Sequence, residues 1–404
     1  MLILKNISIL YTCRDEGVQP DVHPIENAAV VWMDDKIEWV GKESEIPEKY
    51  RSGMSFDAGG NMVIPGLVDC HTHLCFGGWR ADEFEMRIQG QSYLDIAKAG
   101  GGILSTVKAT REASEDDLFD KASGLLNEIH GQGVTAIECK SGYGLSLEDE
   151  LKQLRVYKRL KEETPLHIVT TFLGAHTFPP EFKENRQGYI DLIINEMIPA
   201  VAEENLAEFC DIFVEESAFT IEEARTIFEA GKKHGLIPKL HADQLSSGGG
   251  AELAAEVGAV SADHLEQISN EGIRQMAEKG VVGVTLPLAS LYTQQPYLNC
   301  RPLVEGGVKV ALATDFNPGS APTFDLPLAM MLTCNHGRLT PAEVLKGTTI
   351  YAAKAINRNQ TLGSIEPGKS ADFLVINAEN VNEWLYHYKG ARVTSGFLKG
   401  KQFK

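Results

Sequence analysis

The sequence predicts an α/β protein: a (β/α)8 barrel with a smaller, discontinuous β-sandwich domain from the N- and C-terminal segments. Three observations support this fold class. Short apolar, β-branched runs alternate with helical stretches through the middle of the chain. Eight such runs can be counted, and strand-like segments without helices between them fall mainly at the two ends. We therefore assign residues 63–362 to the barrel and residues 1–62 together with 363–404 to the small domain.

The N-terminal segment has the pattern of short strands joined by turns. Residues 2–10 alternate between apolar and polar, and residues 28–33 and 37–40 flank a polar turn. A unit of this size is too short to hold a core alone. The C-terminal segment contains strand-like runs at 371–376 and 391–398, so we expect both ends to fold together.

The barrel strands are predicted from the apolar runs between glycine- and proline-containing turns. They lie near residues 63–68, 134–139, 168–173, 210–214, 237–240, 259–262, 281–286 and 308–313. Helical stretches between them include residues 114–129, 147–161, 221–234 and 251–257. In such a barrel, functional groups lie just past the carboxyl ends of the strands. The long interval from His73 to Val134 predicts an elaborated first loop over the mouth.

Composition restricts the class of partner. The 404 residues carry 38 Lys and Arg against 56 Asp and Glu, a net charge of −18, which argues against nucleic acid or an anionic membrane as partner. No apolar run approaches the roughly 20 residues that span a bilayer, and the N-terminus lacks the features of a signal peptide. The 7 cysteines are dispersed without a C-x-x-C pair, as in a reducing compartment. These features predict a cytoplasmic protein.

Histidines and an aspartate follow several of the predicted strands. His71 and His73 are two residues apart, so on a strand they project to the same face, as two ligands of one metal must. Such a pair alone is a weak signal, because nearby histidines are more often surface or core residues. His241 follows the fifth strand, His264 the sixth and Asp315 the eighth. His71, His73, His241 and Asp315 form a His3Asp set suited to one divalent metal, Zn2+ or Fe2+.

This arrangement resembles the amidohydrolase superfamily, and the resemblance covers essentially the whole chain. The terminal β domain, the segment P-G-L-V-D-C-H-T-H on the first strand and the residues after strands five, six and eight carry it. It implies a metal-dependent hydrolase and a homodimer. Binuclear members have a bridging lysine or carboxylate after strand four, where this chain reads Phe213-Val214-Glu215-Glu216. We expect one metal, although Glu215 or Glu216 as a second-site ligand stays open.

Three loop segments narrow the resemblance. K-S-G-Y-G-L at 140–145, L-G-A-H at 173–176 and T-D-F-N-P-G-S at 314–320 resemble the members that open the cyclic amide of 4-imidazolone-5-propanoate. The product of that reaction, in histidine degradation, is N-formimidoyl-L-glutamate. The partner would then be a small anionic substrate whose propanoate needs a cation. The resemblance implies the substrate-binding residues Arg80, Tyr143, His176, Gln244, Asn317, Gly319 and Ser320.

The expected chemistry is hydrolysis of an amide C–N bond. A bound divalent metal can lower the pKa of its water to about 7. Asp315 would take the second proton of that water and return it to the ring nitrogen, with ligation alone as the alternative. His264 would hydrogen-bond the oxyanion or orient the hydroxide, with metal ligation as the alternative. Gln244 stands where some relatives carry Glu, and since Gln cannot titrate, this chain departs from the pattern there.

Two other functions remain open on the sequence. A related amidohydrolase, such as a purine or pyrimidine deaminase, would share the metal ligands and differ at Arg80, Tyr143 and His176. A non-catalytic scaffold on the same fold would have no need of metal ligands, whereas the complete His3Asp set is present.

Overall fold

The computed structural model describes residues 1–91, 101–387 and 392–404. Its strands are β1 (Leu2–Tyr11), β2 (Pro24–Met33), β3 (Lys36–Lys42), β4 (Met54–Asp57), β5 (Met62–Pro65), β6 (Leu67–Thr72), β7 (Val134–Lys140), β8 (His167–Ala175), β9 (Phe209–Val214), β10 (Ile237–Ala242), β11 (Ser261–His264), β12 (Val282–Thr285), β13 (Val310–Leu312), β14 (Phe373–Ile376), β15 (Val393–Leu398) and β16 (Lys401–Gln402). The helices are α1 (Ala81–Ile88), α2 (Ile103–Glu112), α3 (Glu115–Gly131), α4 (Leu147–Glu163), α5 (Arg186–Leu192), α6 (Ile198–Glu203), α7 (Ile221–Lys233), α8 (Gly250–Val257), α9 (Asn270–Lys279), α10 (Pro287–Thr293), α11 (Arg301–Glu305), α12 (Leu326–Asn335), α13 (Pro341–Gly347), α14 (Ile350–Ala355) and α15 (Val381–Tyr386).

Strands β6 to β13 form the barrel. They lie in chain order in one sheet, and each pairs in parallel with the next. The residues after β13 close it against β6, because the Asp315 amide donates to the His71 carbonyl at 3.0 Å and the His73 amide to the Phe316 carbonyl at 2.8 Å. The predicted (β/α)8 barrel is confirmed, and its seam passes through three of the predicted site residues.

Two of the long helices begin at capping signals in the sequence. Ser114 and Asp117 form a reciprocal capping box at the start of α3, and Thr220 and Glu223 form another at α7. Their buried faces are apolar and pack against the barrel strands. Four helices that the sequence predicts are present in the structure. Those predicted at 114–129, 147–161, 221–234 and 251–257 are α3, α4, α7 and α8.

The two chain ends form a second sheet, in the order β16-β15-β14-β5-β1-β2-β3, with β4 pairing β1. Its core contains Trp32, whose ring packs against Phe56, Phe373 and Phe397 at centroid distances of 5.8, 5.2 and 5.1 Å. Aromatic residues from both ends thus share one cluster. The separate sheet from the two termini is confirmed, while the division into domains at residues 62 and 363 stays a prediction. Ala391, the first residue of the predicted last strand, lies outside the described residues.

The strand predicted at 63–68 is wrong as a single barrel strand, because it divides between the two sheets. β5 pairs with β14 in the terminal sheet, and the barrel begins only at β6. Gly66 lies between them, where a Cβ would stand 2.2 Å from Thr135 Oγ1. The residues of β5 are buried in the terminal sheet and those of β6 in the barrel. The sequence from β5 to β6 is therefore apolar almost throughout and shows no break at Gly66.

The first loop of the barrel carries α1 and α2, which reach the mouth and contribute Arg87 and Ile103 to the cavity there. Residues 92–100 of the same loop lie outside the described part.

Among the helices of the described residues, none combines the length and the apolar character needed to span a membrane.

Candidate active site

The four predicted metal ligands meet at the carboxyl end of the barrel. The ring centroids of His71 and His73 are 5.4 Å apart, those of His71 and His241 are 4.6 Å apart and those of His73 and His241 are 5.6 Å apart. Asp315 Oδ1 lies 3.4 Å from His71 Nε2 and 3.5 Å from His73 Nε2. All four side chains are buried. Residues separated by more than two hundred positions in the sequence are thus brought together by the closure of the barrel.

Two of the site residues have an unusual backbone conformation. Asp315 has a φ of +54° and His264 a φ of +80°, in the left-handed region that costs a residue with a side chain about 1–3 kcal/mol. Hydrogen bonds hold Asp315 in this conformation, since its amide donates to the His71 carbonyl and its own carbonyl accepts from Asn317 Nδ2 at 2.6 Å. Such strain is typical of functional sites, where the surrounding structure fixes a side-chain direction.

The histidines fit a divalent metal. His71 Nδ1 lies 2.6 Å from Asp263 Oδ2, and His241 Nδ1 lies 3.0 Å from Asp211 Oδ1. Ionised carboxylates only accept, so each Nδ1 carries the hydrogen and the neutral ring has its lone pair on Nε2. Both Nε2 atoms are buried without a hydrogen-bond partner in the described structure. Unpartnered ring nitrogens beside a carboxylate are what a metal ion requires.

The ligand atoms fall into two overlapping groups whose members lie within 4.8 Å of one another. His71, His73 and Asp315 make one group, and His71, His241 and His264 make the other. His264 thus lies close enough to be either a ligand or a group beside the metal. Both groups found among the described residues contain His71, so the structure supports a divalent metal that has His71 as one of its ligands.

The pKa values of Asp315 and His241 favour the forms that bind metal, whereas the pKa of His71 favours the protonated form. Burial raises the pKa of Asp315, but the neighbouring rings of His71 and His73 outweigh burial and hold that pKa well below its usual value. Burial lowers the pKa of His241 to about 3, against the attraction of Asp211. Burial also lowers the pKa of His71, yet Asp263 and Asp315 raise it to about 9. Asp315 is therefore ionised and His241 neutral, and a metal must compete with a proton at His71.

A cavity of about 270 Å³ opens over this cluster. The sequence-predicted residues on its walls are His73, Arg80, Tyr143, His176, His241, Gln244, His264, Asp315, Asn317, Gly319 and Ser320. His71 is fully buried behind them. The sequence reasoning missed five further lining residues, which are Glu83, Arg87, Ile103, Phe213 and Thr293.

Arg80 is held in place on one wall of the cavity. Its Nε lies 3.2 Å from Glu83 Oε2, and Glu83 in turn accepts hydrogen bonds from Gly102 N and Ser105 Oγ. On the other side, a Cβ at Gly319 would lie 2.4 Å from Arg80 Nη2. The guanidinium therefore lies against the Gly319 backbone in a space that only glycine leaves open.

His176 and Tyr143 lie beside the histidine cluster. The His176 ring stacks on His73 at 5.2 Å, and the Tyr143 ring lies 5.4 Å from His176. His176 Nδ1 is 2.9 Å from the Gly142 carbonyl, which can only accept, so Nδ1 carries the hydrogen and Nε2 is an acceptor. Burial and the neighbouring His73 and His241 hold the pKa of His176 well below its usual value. His176 is a neutral acceptor.

The loop after β13 is folded by Asn317. Its Oδ1 accepts from the amides of Gly319 and Ser320, both at 2.8 Å, and its Nδ2 donates to the Asp315 carbonyl and to Ser320 Oγ. These bonds fix the loop that carries Asp315 and Gly319. Asn317, predicted as a substrate contact, thus has a loop-forming role as well.

Glu215 has a role that the sequence did not reveal. Its Oε2 accepts from the amides of Leu245 and Ser246, next to Gln244. It therefore fixes the loop after β10. Neither metal-binding group of the described residues includes Glu215 or Glu216.

Comparison with known proteins gives the class first. The Amidohydrolase family matches residues 62–403, and the chain belongs to this family. Within it, an imidazolonepropionase from Geobacillus thermodenitrificans (strain NG80-2) is 51% identical over 385 residues, which cover 94% of this chain and 90% of that protein. An imidazolonepropionase from Thermoanaerobacter pseudethanolicus (strain ATCC 33223 / 39E) is 47% identical over 405 residues, 99% of this chain and 97% of that protein.

Solved structures support the fold. The zinc complex of atrazine chlorohydrolase from Arthrobacter aurescens TC1 is similar with a TM-score of 0.77 at 15% identity, covering 100% of this chain and 95% of that one. An adenosine deaminase from Xanthomonas campestris with bound zinc has a TM-score of 0.71 at 17% identity, covering 99% and 92%. At these identities the likeness concerns the barrel and its terminal sheet.

Proposed function

We propose that the protein is a metal-dependent hydrolase that opens the cyclic amide of 4-imidazolone-5-propanoate to N-formimidoyl-L-glutamate. The relatives named imidazolonepropionase, which match nearly the whole chain, support this function. The observation that carries it is the buried cluster of His71, His73, His241 and Asp315 beneath a cavity with Arg80 on its wall. A deaminase would use the same cluster of ligands, so the residues that line the cavity determine which substrate is bound.

His71, His73, His241 and Asp315 would hold one Zn2+ or Fe2+. When bound, the ion supplies a Lewis acid that lowers the pKa of a water molecule to about 7.

Asp315 and His264 move and stabilise charge during the reaction. The Asp315 carboxylate accepts the proton of the attacking water and delivers it to the ring nitrogen as the C–N bond breaks. A hydrogen bond from His264 stabilises the negative charge that develops on the amide oxygen. His264 is buried, and its Nδ1 has no hydrogen-bond partner in the described structure.

The cavity walls recognise the two ends of the substrate. Arg80 binds the propanoate through its two Nη groups, since its Nε faces Glu83 in an ion pair. His176 accepts a hydrogen bond from a ring N–H at Nε2, and Tyr143 packs beside the ring. Gln244 forms a hydrogen bond without transferring a proton.

Turnover tests the function. Purified protein incubated with freshly generated 4-imidazolone-5-propanoate should remove the ring absorbance and yield one equivalent of N-formimidoyl-L-glutamate, identified by mass spectrometry. Guanine, adenosine and cytosine serve as competing substrates. Deamination of any of these, with the imidazolone untouched, would contradict the proposal.

The remaining partner predictions follow from composition and resemblance. The small-molecule substrate is supported by the relatives. A homodimer, a cytoplasmic location and the absence of nucleic-acid and membrane partners stay predictions.

Gly319→Ala should weaken binding of the anionic substrate. The new Cβ would stand 2.4 Å from Arg80 Nη2, so the guanidinium must move although the backbone is undisturbed. We expect KM to rise on the order of 10-fold. A charge-assisted hydrogen bond contributes about 1.5–3 kcal/mol, and the displaced guanidinium would lose part of it. Steady-state kinetics measure it. In an Arg80→Met background the same change should have no further effect, and an additive loss there would show that Gly319 does not act through Arg80.

A further inference from the structure

Five fully buried charged side chains lie beside the histidine cluster, inside the barrel. Glu138 and Lys140 come from β7, Asp211 from β9, Lys239 from β10 and Asp263 from β11. We call these five residues the buried charge cluster. The proposed reaction uses none of them directly, and burying so many charges is costly unless each is closely paired.

Lys140 is at the centre of the buried charge cluster. Its Nζ lies 2.7 Å from Glu138 Oε1, 2.7 Å from Asp211 Oδ2 and 3.7 Å from Asp263 Oδ2. Burial favours the neutral amine, but these three carboxylates outweigh burial and raise the pKa of Lys140, so it remains charged.

The two aspartates connect Lys140 to the metal site. Asp211 gives one carboxylate oxygen to Lys140 and the other to His241 Nδ1. Asp263 Oδ2 lies near Lys140 and 2.6 Å from His71 Nδ1, while its Oδ1 accepts from Ser261 Oγ. One ammonium group therefore stands between the carboxylates that orient two different histidines.

We propose that Lys140 is a positioning residue for the metal site. Through its short ion pair with Asp211, it fixes the His241 ring beside the His71 ring, and the two ring centroids are 4.6 Å apart at an interplanar angle of 65°. Their free Nε2 atoms are thereby directed to one ion. This inference rests on the proposed metal-dependent function and deepens it, since it concerns how ligands on separate strands reach one geometry.

Lys239 provides a matched control. It is equally buried and carries the same charge, but it donates to the Ala355 carbonyl at 3.1 Å, and its ion pairs with Glu138 and Asp263 are longer, at 3.8 and 4.0 Å. Removing either lysine changes the charge of the cluster by one unit. Only the loss of Lys140 removes the short bridge to Asp211.

The test measures metal binding rather than turnover. Lys140→Met, Lys239→Met and the double variant Glu138→Gln/Lys140→Met are prepared without metal, and their Zn2+ affinity is measured by competition with a chelator. The absorption spectrum of each Co2+-loaded protein reports ligand geometry. The double variant restores the net charge of the cluster without restoring the bridge, so it serves also if Lys140→Met does not fold.

We expect Lys140→Met and the double variant to bind Zn2+ about 10- to 100-fold more weakly, as for other outer-shell changes, with an altered Co2+ spectrum. Lys239→Met should keep the wild-type spectrum. If the lysine acted by charge alone, its removal near a cation would tighten Zn2+ binding, and the double variant would match the wild type; either result overturns the proposal. A wild-type protein that binds no Zn2+ or Co2+ would instead overturn the metal-dependent function, and the role of Lys140 with it.

Discussion

Asp315→Asn is expected to lower kcat by about two to four orders of magnitude. The amide side chain has nearly the same shape and can still offer an oxygen to a metal, but it cannot take a proton from water and return it to the leaving nitrogen, a step worth about 10²–10⁴ in rate. The loss should appear equally in kcat and kcat/KM, because substrate contacts at Arg80 and His176 are unchanged. Steady-state kinetics beside a measured metal content give the result.

Asp325→Asn is the matched control for this variant. Asp325 caps α12 by accepting from the Leu328 amide, and asparagine caps a helix equally well. Its kinetics should equal those of the wild type. A nearly normal kcat in Asp315→Asn with full metal content would show that Asp315 is only a ligand. If Asp315→Asn also lost its metal, the fall in kcat would reflect weaker ion binding instead of lost proton transfer.

Removal of the metal is expected to abolish turnover and to lower thermal stability. The ion binds the folded chain, so its removal costs RT ln(1 + [M]/Kd), about 4 kcal/mol where the ion stands at a thousandfold excess over Kd. Without it, a proton on His71, whose pKa is raised to about 9, takes the place of the ion beside the ionised Asp315, and His241 Nε2 remains buried without a hydrogen-bond partner in the described structure. Activity and melting temperature should fall together on dialysis against a chelator.

Both properties should return with one equivalent of Zn2+ or Fe2+. Mg2+ should restore neither, because three of the four ligands are imidazoles and Mg2+ prefers oxygen. Dialysis without chelator is the control. Full activity after the metal content has fallen to zero would contradict the mechanism, and a requirement for two equivalents would contradict a single-ion site.

The barrel and much of the site could be predicted because both leave local signals. Capping residues such as Ser114 and Thr220 mark helix starts, and strand ends are marked by polar residues directly after apolar runs. His71, His241 and Asp315 follow three such runs, so the barrel topology alone predicts that they meet. The roles of these residues stay predictions for the experiments above.

Other features depend on contacts that the sequence does not encode locally. The run from Met62 to Thr72 changes sheet at Gly66 without any break in its apolar character. Arg80 owes its position to Glu83 on α1 and to the bare backbone of Gly319 on the opposite side of the barrel. Charged residues within predicted strands, Asp211 and Lys239 among them, were a signal of the buried charge cluster, but their partners come from other strands.

The terminal sheet also bears on how the chain is made. β5 receives its antiparallel neighbour from β14, and the ring of Trp32 is covered by Phe373 and Phe397. A nascent chain leaving the ribosome therefore carries an open sheet edge, and a tryptophan that lacks the cover of Phe373 and Phe397, until the residues from Phe373 onward have emerged. Prematurely terminated products keep both features, which gives chaperones and proteases a means of distinguishing them from finished molecules.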